Sequence, residues 1–488
     1  MTGFFNRLFS TGGQRYSGGG TRKGEDVFPQ VTDDQPRNPY TEVTVLSGHM
    51  ATVHHIEIID HKRFISASYD GTTIVWNTQT GQKLHTLRGG IEAVTCVLSL
   101  QSHCDTSELC IITAYSDNIM KFWSLNDDDP LQEALDGKII TEHNGLVKCL
   151  LQMGNDIVCS GGKDICLWDR NGKLLTRYER SGLAEDESDV HSLLKLDGKH
   201  FGVVAASDYK SLAVFDINKL AMTETDQYSL VFVRYLMNTH KENITFLTTV
   251  SQTFFASGSR DGVILLWSTN SLSAMKIINC VEPCLTSSLR ESQYPSMQIR
   301  HIMAIGERYI FVAIGNGFKV YDVLTYEDSE GQPKPLASHS RAHQQPITCM
   351  DFIEDRGILV TASEDSTVRL WGNPTRISRD SDISSPLNES QAQSSKVHIE
   401  DFLGIELQPS RPRRRGGVSL PVRPTLLGEL LLHSSNVKVV KNLVEHGLVT
   451  CGVDSMIIIW KDEEQERELR DMDIKLFIKG QSMTPNEY

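Results

Sequence analysis

SASYDGTTIVW, residues 66 to 76, is a serine, three residues, an aspartate and a β-branched run that closes on tryptophan. The phrase recurs as TAYSDNIMKFW (113 to 123), SGGKDICLW (160 to 168), SGSRDGVILLW (257 to 267), TASEDSTVRLW (361 to 371) and TCGVDSMIIIW (450 to 460). All six tryptophans of the chain close one copy. Two more copies close on other aromatics: VAASDYKSLAVFD, near Phe215, and VAIGNGFKVYD, near Tyr321.

Working outward, the closing aromatics stand at 76, 123, 168, 215, 267, 321, 371 and 460, spaced by 47, 45, 47, 52, 54, 50 and 89 residues. A period slightly above ~40 to 45 residues, with four short strands per unit, predicts a β-propeller with one blade per unit. In the first unit the strands read TVHHIEI, RFISAS, TTIVW and, after the turn NTQTG, QKLHTL. In the third, Asn171-Gly172 is a hairpin signal between the last two strands.

A histidine keeps step with five of these aspartates. His49 and Asp70, His143 and Asp164, His240 and Asp261, and His433 and Asp454 are 21 apart, and His343 and Asp365 are 22 apart. With Ser66, Ser160, Ser257, Thr361, Thr450 and the tryptophans Trp76, Trp168, Trp267, Trp371 and Trp460, they form five sets in register. The pattern resembles the Trp-Ser/Thr-His-Asp tetrad of the WD40 repeat family. That resemblance implies a structural network in which Asp accepts from the His ring, His meets the hydroxyl and the hydroxyl meets the indole N–H. Such pairing matters because a buried polar group left unmatched costs about 1–3 kcal/mol.

Ser-His-Asp sets also invite comparison with a hydrolase, which needs one exposed set and an oxyanion hole, not five buried copies. No G-x-S-x-G elbow, H-E-x-x-H helix, P-loop or G-x-G-x-x-G after a strand occurs elsewhere. Catalysis is not expected, nor is a cofactor. Cys280 and Cys284 are the one close cysteine pair with polar neighbours, and without a second pair at zinc-ligand spacing no metal site is expected. The ten cysteines lie mostly in apolar strand-like runs and read as small core residues in a reducing compartment. A net charge of -14 argues against broad nucleic-acid binding. No apolar run approaches the ~20 residues that cross a bilayer, and MTGFFNRLFS lacks a clear signal-peptide cleavage site.

Units two, four and six break the His-Asp rule: Gly89-Gly90 replaces Gly-His, Phe215 replaces Trp and Asn316-Gly317 replaces the Asp turn. The 89-residue gap before Trp460 holds an insertion at 373 to 424 in the seventh blade, rich in Ser, Pro and Arg and expected to be disordered in its polar parts. Within it VHIEDFLGIEL is an apolar island carrying Ile399, Phe402, Leu403 and Ile405. Such an island either folds on a partner or packs on its own propeller. The basic run with Arg413, Arg414 and Arg415 either meets an anionic lipid or acidic partner or is simply solvated.

Residues 1 to 36 are Gly- and Ser-rich and expected to be disordered, with GFFNRLF read as a short docking or membrane-surface motif. Residues 462 to 488 read as a C-terminal helix and tail, with Leu469, Met472, Leu476 and Phe477 as apolar positions that dock on the ring or face a partner. The propeller then spans 37 to 461. Its eighth unit supplies NVKVVKNL, GLVTCG and MIIIW but no outer strand, so the orphan strand at Tyr40 to Leu46, with Val43 and Val45, should fill that place and join the two ends of the chain.

From Asn38 to about Lys479 the chain resembles a branch of the WD40 family, most specifically in NPYTEVTVL, IVWNTQTGQKL, SGGKDICLWDR, SEDSTVRLW and LLGELLLHSSNV. The resemblance implies a non-catalytic scaffold subunit bound to two DENN-domain proteins, the chromosome 9 open reading frame 72 product and its Smith-Magenis-region partner. It implies a role in autophagy and lysosome function. It also implies a cytoplasmic protein brought to the lysosomal membrane peripherally, through a cationic amino-acid transporter that meets the seventh-blade loop, while the terminal strand and C-terminal helix hold the DENN partner. A second class is a substrate receptor of a cullin-RING ubiquitin ligase. Some receptors carry W-D-x-R after the third strand; WDRN at 168 to 171 has its Arg one place early.

Overall fold

Each Trp-closing phrase puts a run of β-branched and aromatic residues between two other strands, and nearly every side chain in that run is buried. In Thr72–Asn77 the four residues from Thr73 to Trp76 are buried, and in Val368–Gly372 all five are. A strand buried on both faces has to be apolar throughout, which explains why these runs do not alternate. Inner strands are buried only at intervals, as in Val53–Ile58, where Val53 and Ile56 are buried and the two residues between them, across a register shift, are half-buried.

The structure, a computed structural model, describes residues 38–100, 108–126, 137–154, 156–179, 189–197, 202–207, 210–220, 227–236, 240–281, 297–324, 333–373, 399–403, 421–443, 447–463 and 466–467. It is an all-β, eight-bladed propeller: eight antiparallel sheets of four strands. In seven sheets the strands follow one another in chain order from the axis outward, as in Val53–Ile58, Arg63–Ser68, Thr72–Asn77 and Lys83–Arg88. In the eighth, Val437–Asn442, Leu448–Gly452 and Ile457–Asp462 are completed by Tyr40–Leu46 from the opposite end of the chain. Val43 pairs with Trp460 and Leu46 with Ile457, and the register shifts between Tyr40 and Glu42.

The core is distributed among the blade-to-blade seams. Eight apolar clusters occupy the eight seams, for example Phe64, Trp76, Leu443 and Ile459 between blades one and eight, and Val75, Leu87, Tyr115 and Trp123 between blades one and two. Polar stitches cross the same seams near the axis. Thr95 donates to the Val147 carbonyl (2.7 Å), Thr245 to Ile299 (2.6 Å), Thr348 to Val437 (2.7 Å), and His191 Nε2 to Ile244 (2.9 Å). All four donors follow the first buried residue of their inner strand, so one position repeated around the ring satisfies the next blade's carbonyl. The eight cysteines among the described residues are free thiols.

The insertion returns to the ring through Val422, whose N–H donates to Leu336 O (2.8 Å) and whose carbonyl accepts from Ser338 N (3.0 Å). This bridge lies along the short outer strand Ala337–His339 of blade six.

Candidate functional site

The histidine sets are networks of fixed geometry inside three blades. In blade one Trp76 Nε1 donates to Ser66 Oγ (2.8 Å), His49 Nε2 lies 2.7 Å from the same oxygen, and His49 Nδ1 lies 3.1 Å from Asp70. Blade seven repeats this through Trp371, Thr361, His343 and Asp365 at 2.9, 2.7 and 3.0 Å. Blade eight does so through Trp460, Thr450, His433 and Asp454 at 2.9, 2.8 and 2.9 Å. Each Asp also fastens its turn: Asp365 accepts from Thr367 N (3.0 Å), Thr367 Oγ1 (2.6 Å) and Gln344 N (2.9 Å). Burial alone would push the Asp365 carboxyl up, but the His343 bond and charge and the Thr367 and Gln344 donors together hold it well below the usual carboxylate range. Burial lowers the His343 pKa against the pull of Asp365.

In blade five Trp267 and His240 meet Ser257 at 2.9 and 2.8 Å, while Asp261 stands 3.8 Å from His240 Nδ1. Blade three departs further. Trp168 donates to Ser160 (2.7 Å), but neither His143 nitrogen has a hydrogen-bond partner among the described residues, so the expected tetrad there is corrected to a pair. The cause is a turn two residues shorter: the tryptophan follows its hydroxyl residue by 8 positions, not the 10 found in blade one. Arg177 from the outer strand enters beside it, 3.9 Å from Asp164, and donates to the Glu142 carbonyl next to His143.

Blade two holds a substitute that the Gly89-Gly90 reading missed. Trp123 donates to Thr113 Oγ1 (2.8 Å), and Thr113 Oγ1 donates to the Tyr115 hydroxyl (2.9 Å). A Cβ on Gly89 would lie 1.8 Å from the Tyr115 ring, so tyrosine occupies the histidine's space and requires glycine opposite. The paired signal, glycine for histidine and tyrosine two residues past the hydroxyl, was present in the sequence. Burial raises the Tyr115 hydroxyl to about 12.

The clasp of blade eight presents a different surface. Tyr40 and Leu46 are buried at its ends, whereas Val43 and Val45 are 36% and 52% exposed. Beside them Thr41, Glu42, Glu463 and Arg467 line an open hollow. Glu463, Glu466 and Arg467 have helical backbone, and Thr41 Oγ1 donates to Glu463 (3.3 Å). Leu469, Met472, Leu476 and Phe477 lie outside the described residues.

The apolar island lies on its own ring. Residues Ile399–Phe402 form a single helical turn, and Ile399, Phe402 and Leu403 are buried among Ile305, Tyr309, Phe311, Phe352 and Leu359 at the seam of blades six and seven. The Phe402 ring centroid lies 5.7 Å from those of both Phe311 and Phe352. Of the two readings of the island, packing on its own propeller is the one the structure shows for these three residues, whose burial removes three large apolar side chains from water. Ile405, Arg413, Arg414, Arg415 and residues 1 to 37 lie outside the described residues.

An eight-bladed ring closed by its own N-terminal strand narrows the comparison with known proteins. A family model described as WDR41, a β-propeller, matches residues 11–470. The chain belongs to the WDR41 family. WD repeat-containing protein 41 of Mus musculus is 28% identical over 92% of this chain and 92% of its own length; that of Homo sapiens is 27% identical over 92% and 93%. A guanine nucleotide-binding protein subunit beta of Solanum tuberosum is 22% identical over 67% of this chain and 82% of its own. Among solved structures, the computationally designed Ika8 protein superposes with a TM-score of 0.55 at 20% identity, covering 86% of this chain and 98% of its own, a likeness of fold. Family membership makes the chain a WD-repeat propeller, and the interaction scaffold typical of that fold is the coarse function that follows.

Proposed function

We propose that this chain is a non-catalytic scaffold and adaptor subunit that holds a DENN-domain protein pair and serves autophagy and lysosome function. It acts in the cytoplasm and peripherally at the lysosomal membrane. The observation that carries the reading is the clasp: Tyr40–Leu46 and Ile457–Asp462 meet in one blade, where Val43 and Val45 stay exposed beside the helical start at Glu463. Exposed apolar side chains next to a polar hollow suit a protein partner. The recruiting partner at the membrane is a cationic amino-acid transporter met by the blade-seven insertion. The Ile399–Phe402 turn then anchors that insertion to the ring.

Truncation after Lys461 tests the reading. The shortened chain should lose co-purification with the DENN-domain proteins yet keep its place at lysosomes in vesicle extracts, whereas deletion of 395 to 408 should do the reverse. A truncated chain that still co-purifies with the DENN-domain proteins would refute the clasp as their seat.

A further inference from the structure

The outer strands of blades seven and eight leave a groove between them, and strand pairing identifies its two banks. Residues directly opposite in an antiparallel pair share a face. Val43 lies opposite Trp460 and Val45 opposite Ile458, and both of those partners pack into the seam with blade seven, so the two valines turn toward that blade. Thr44 and Leu46 turn the other way, where a Cβ on Gly81 of blade one would lie 3.2 Å from Thr44 and 2.7 Å from Leu46. The face toward blade seven thus carries Tyr40, Val43 and Val45, and of these only Tyr40 is buried. On the opposite bank, Leu427, Gly428 and Leu430 of Thr425–Leu430 turn toward blade eight.

The groove is apolar and open. Besides the two valines, Leu431 and Leu432, which follow the blade-seven strand, are 57% and 41% exposed. The outer edge of Tyr40–Leu46 carries no further strand among the described residues. Asn38 shows where the chain enters. A Cβ on Gly428 would lie 3.1 Å from the Asn38 Cβ, so the one glycine of this leucine-rich strand makes room for Asn38 on the face toward blade eight. Asn38 Oδ1 accepts from Tyr40 N (3.0 Å) and fixes the corner into the clasp. Residue 37 is bonded to Asn38, so the N-terminal segment starts within the groove and not at a distance from it.

An edge strand with exposed apolar side chains is a surface that folded chains cover. We propose that residues 27 to 31 of this chain, VFPQV, occupy the groove, with Val27, Phe28 and Val31 against Val43, Val45 and Leu432. Reach and tether single them out. Leu432 stands four residues past Gly428, at most about 14 Å along the strand, and Phe28 stands ten residues before Asn38, within about 35 Å of it. The intervening TDDQPR, 32 to 37, is polar apart from its proline, so VFPQV is the first apolar stretch that the groove can take up. A tether this short holds the stretch at an effective concentration on the order of millimolar, so contact among a few apolar side chains suffices. A partner that takes Val43 and Val45 must displace the segment first, but the docking concerns the chain alone and holds whichever protein meets the clasp.

Hydrogen exchange of the full chain is compared with that of a chain lacking residues 1 to 36, which keeps Asn38 and the clasp. Peptides covering 42–47 and 428–433 should exchange about tenfold faster in the shortened chain. Ala274–Asn279, an outer strand of blade five with Met275 and Ile277 exposed, should not change. Val27→Ser, Phe28→Ser and Val31→Ser together should match the shortened chain, while Arg22→Ser with Lys23→Ser should keep the full chain's protection. Equal exchange in the full and shortened chains overturns the proposal. So does protection that survives the triple variant, an equal rise at Ala274–Asn279, which would mean a general loosening of the ring, or protection that fades on dilution, which would place a second copy in the groove. The triple variant leaves the ring's own sequence unaltered and decides the matter even where the shortened chain fails to fold.

Discussion

Arg356 of blade seven lies against Tyr40, its guanidinium 5.8 Å from the ring centroid, and at the same time holds Asp462 at 2.5 Å. One side chain thus ties Tyr40–Leu46 and Ile457–Asp462 to a neighbouring blade. On the other side Lys461, from Ile457–Asp462, ties that strand to blade one, donating to the Gln79 carbonyl (2.6 Å) across 382 residues of sequence. Removing residues 1 to 47 should therefore cost more than one strand: the exposed edge of Ile457–Asp462 loses its ladder, and Tyr40 and Leu46 leave both seams. The truncated chain should melt well below the full chain or aggregate, and equal melting temperatures would show that the clasp does not close the ring. Arg356→Ala, which strands Asp462, should cost about 1–3 kcal/mol in urea unfolding.

Gly89 and Tyr115 make a second, sharper case. Gly89→Ala places a methyl within 1.8 Å of the tyrosine ring, so strand or ring must shift, at about 1–3 kcal/mol. Gly89→His should be worse alone but should recover much of the loss when combined with Tyr115→Ser, because the pair restores the histidine and small residue seen in blade one. Chemical denaturation of the two single variants and the double gives the coupling directly. Additive losses would mean that tyrosine is not the histidine's substitute.

These cases mark what could be read before the structure. The tryptophan register and the His-Asp spacing follow from strand geometry, so blade number and the place of Tyr40–Leu46 were legible. The Gly89 and Tyr115 exchange left its two marks in the sequence, but glycine in place of histidine looks like decay until the third dimension brings position 115 beside it. Blade three misled for a related reason. Its 21-residue His143 to Asp164 interval is intact, but the two residues missing after Asp164 withdraw the turn that would hold the carboxylate. The apolar island of the insertion reads alike whether it packs at home or on a partner, and only the aromatic seam at Phe311 and Phe352 decides where it lies.

That seam supports a local prediction. Phe402 is 2% exposed, and truncation of a buried phenylalanine removes about 3–5 kcal/mol of packing. A four-residue helical turn has almost no stability of its own, so Phe402→Ala should release the turn and leave the ring folded. Hydrogen exchange and proteolysis should rise at 399 to 403 with little change in Tm, whereas Phe311→Ala, at the heart of the same cluster, should lower Tm substantially. A large drop in Tm for Phe402→Ala would instead make the insertion part of the ring's cooperative core.

The inner-strand and tetrad histidines set the response to acid. His55 and His301 are lowered to about 4 from an ordinary 6.5, chiefly by burial, and His49, His143 and His343 are lowered as well. For a lowered histidine the unfolded chain takes up the proton first, so its contribution is complete above about 6.5 and is lost as pH falls from there toward 4. His55 and His301 should each cost about 2 kcal/mol between pH 7.5 and 5.0. Asp70, Asp365 and Asp454 are lowered too, so their contribution persists through this window and is lost only as pH falls below the ordinary carboxylate value. Urea unfolding at the two pH values should thus show a loss that shrinks by about 2 kcal/mol in His301→Gln, since that variant no longer carries the proton-linked term. An unchanged loss in that variant would assign the acid response to other groups, and a gain in stability on acidification would contradict burial of neutral imidazoles altogether.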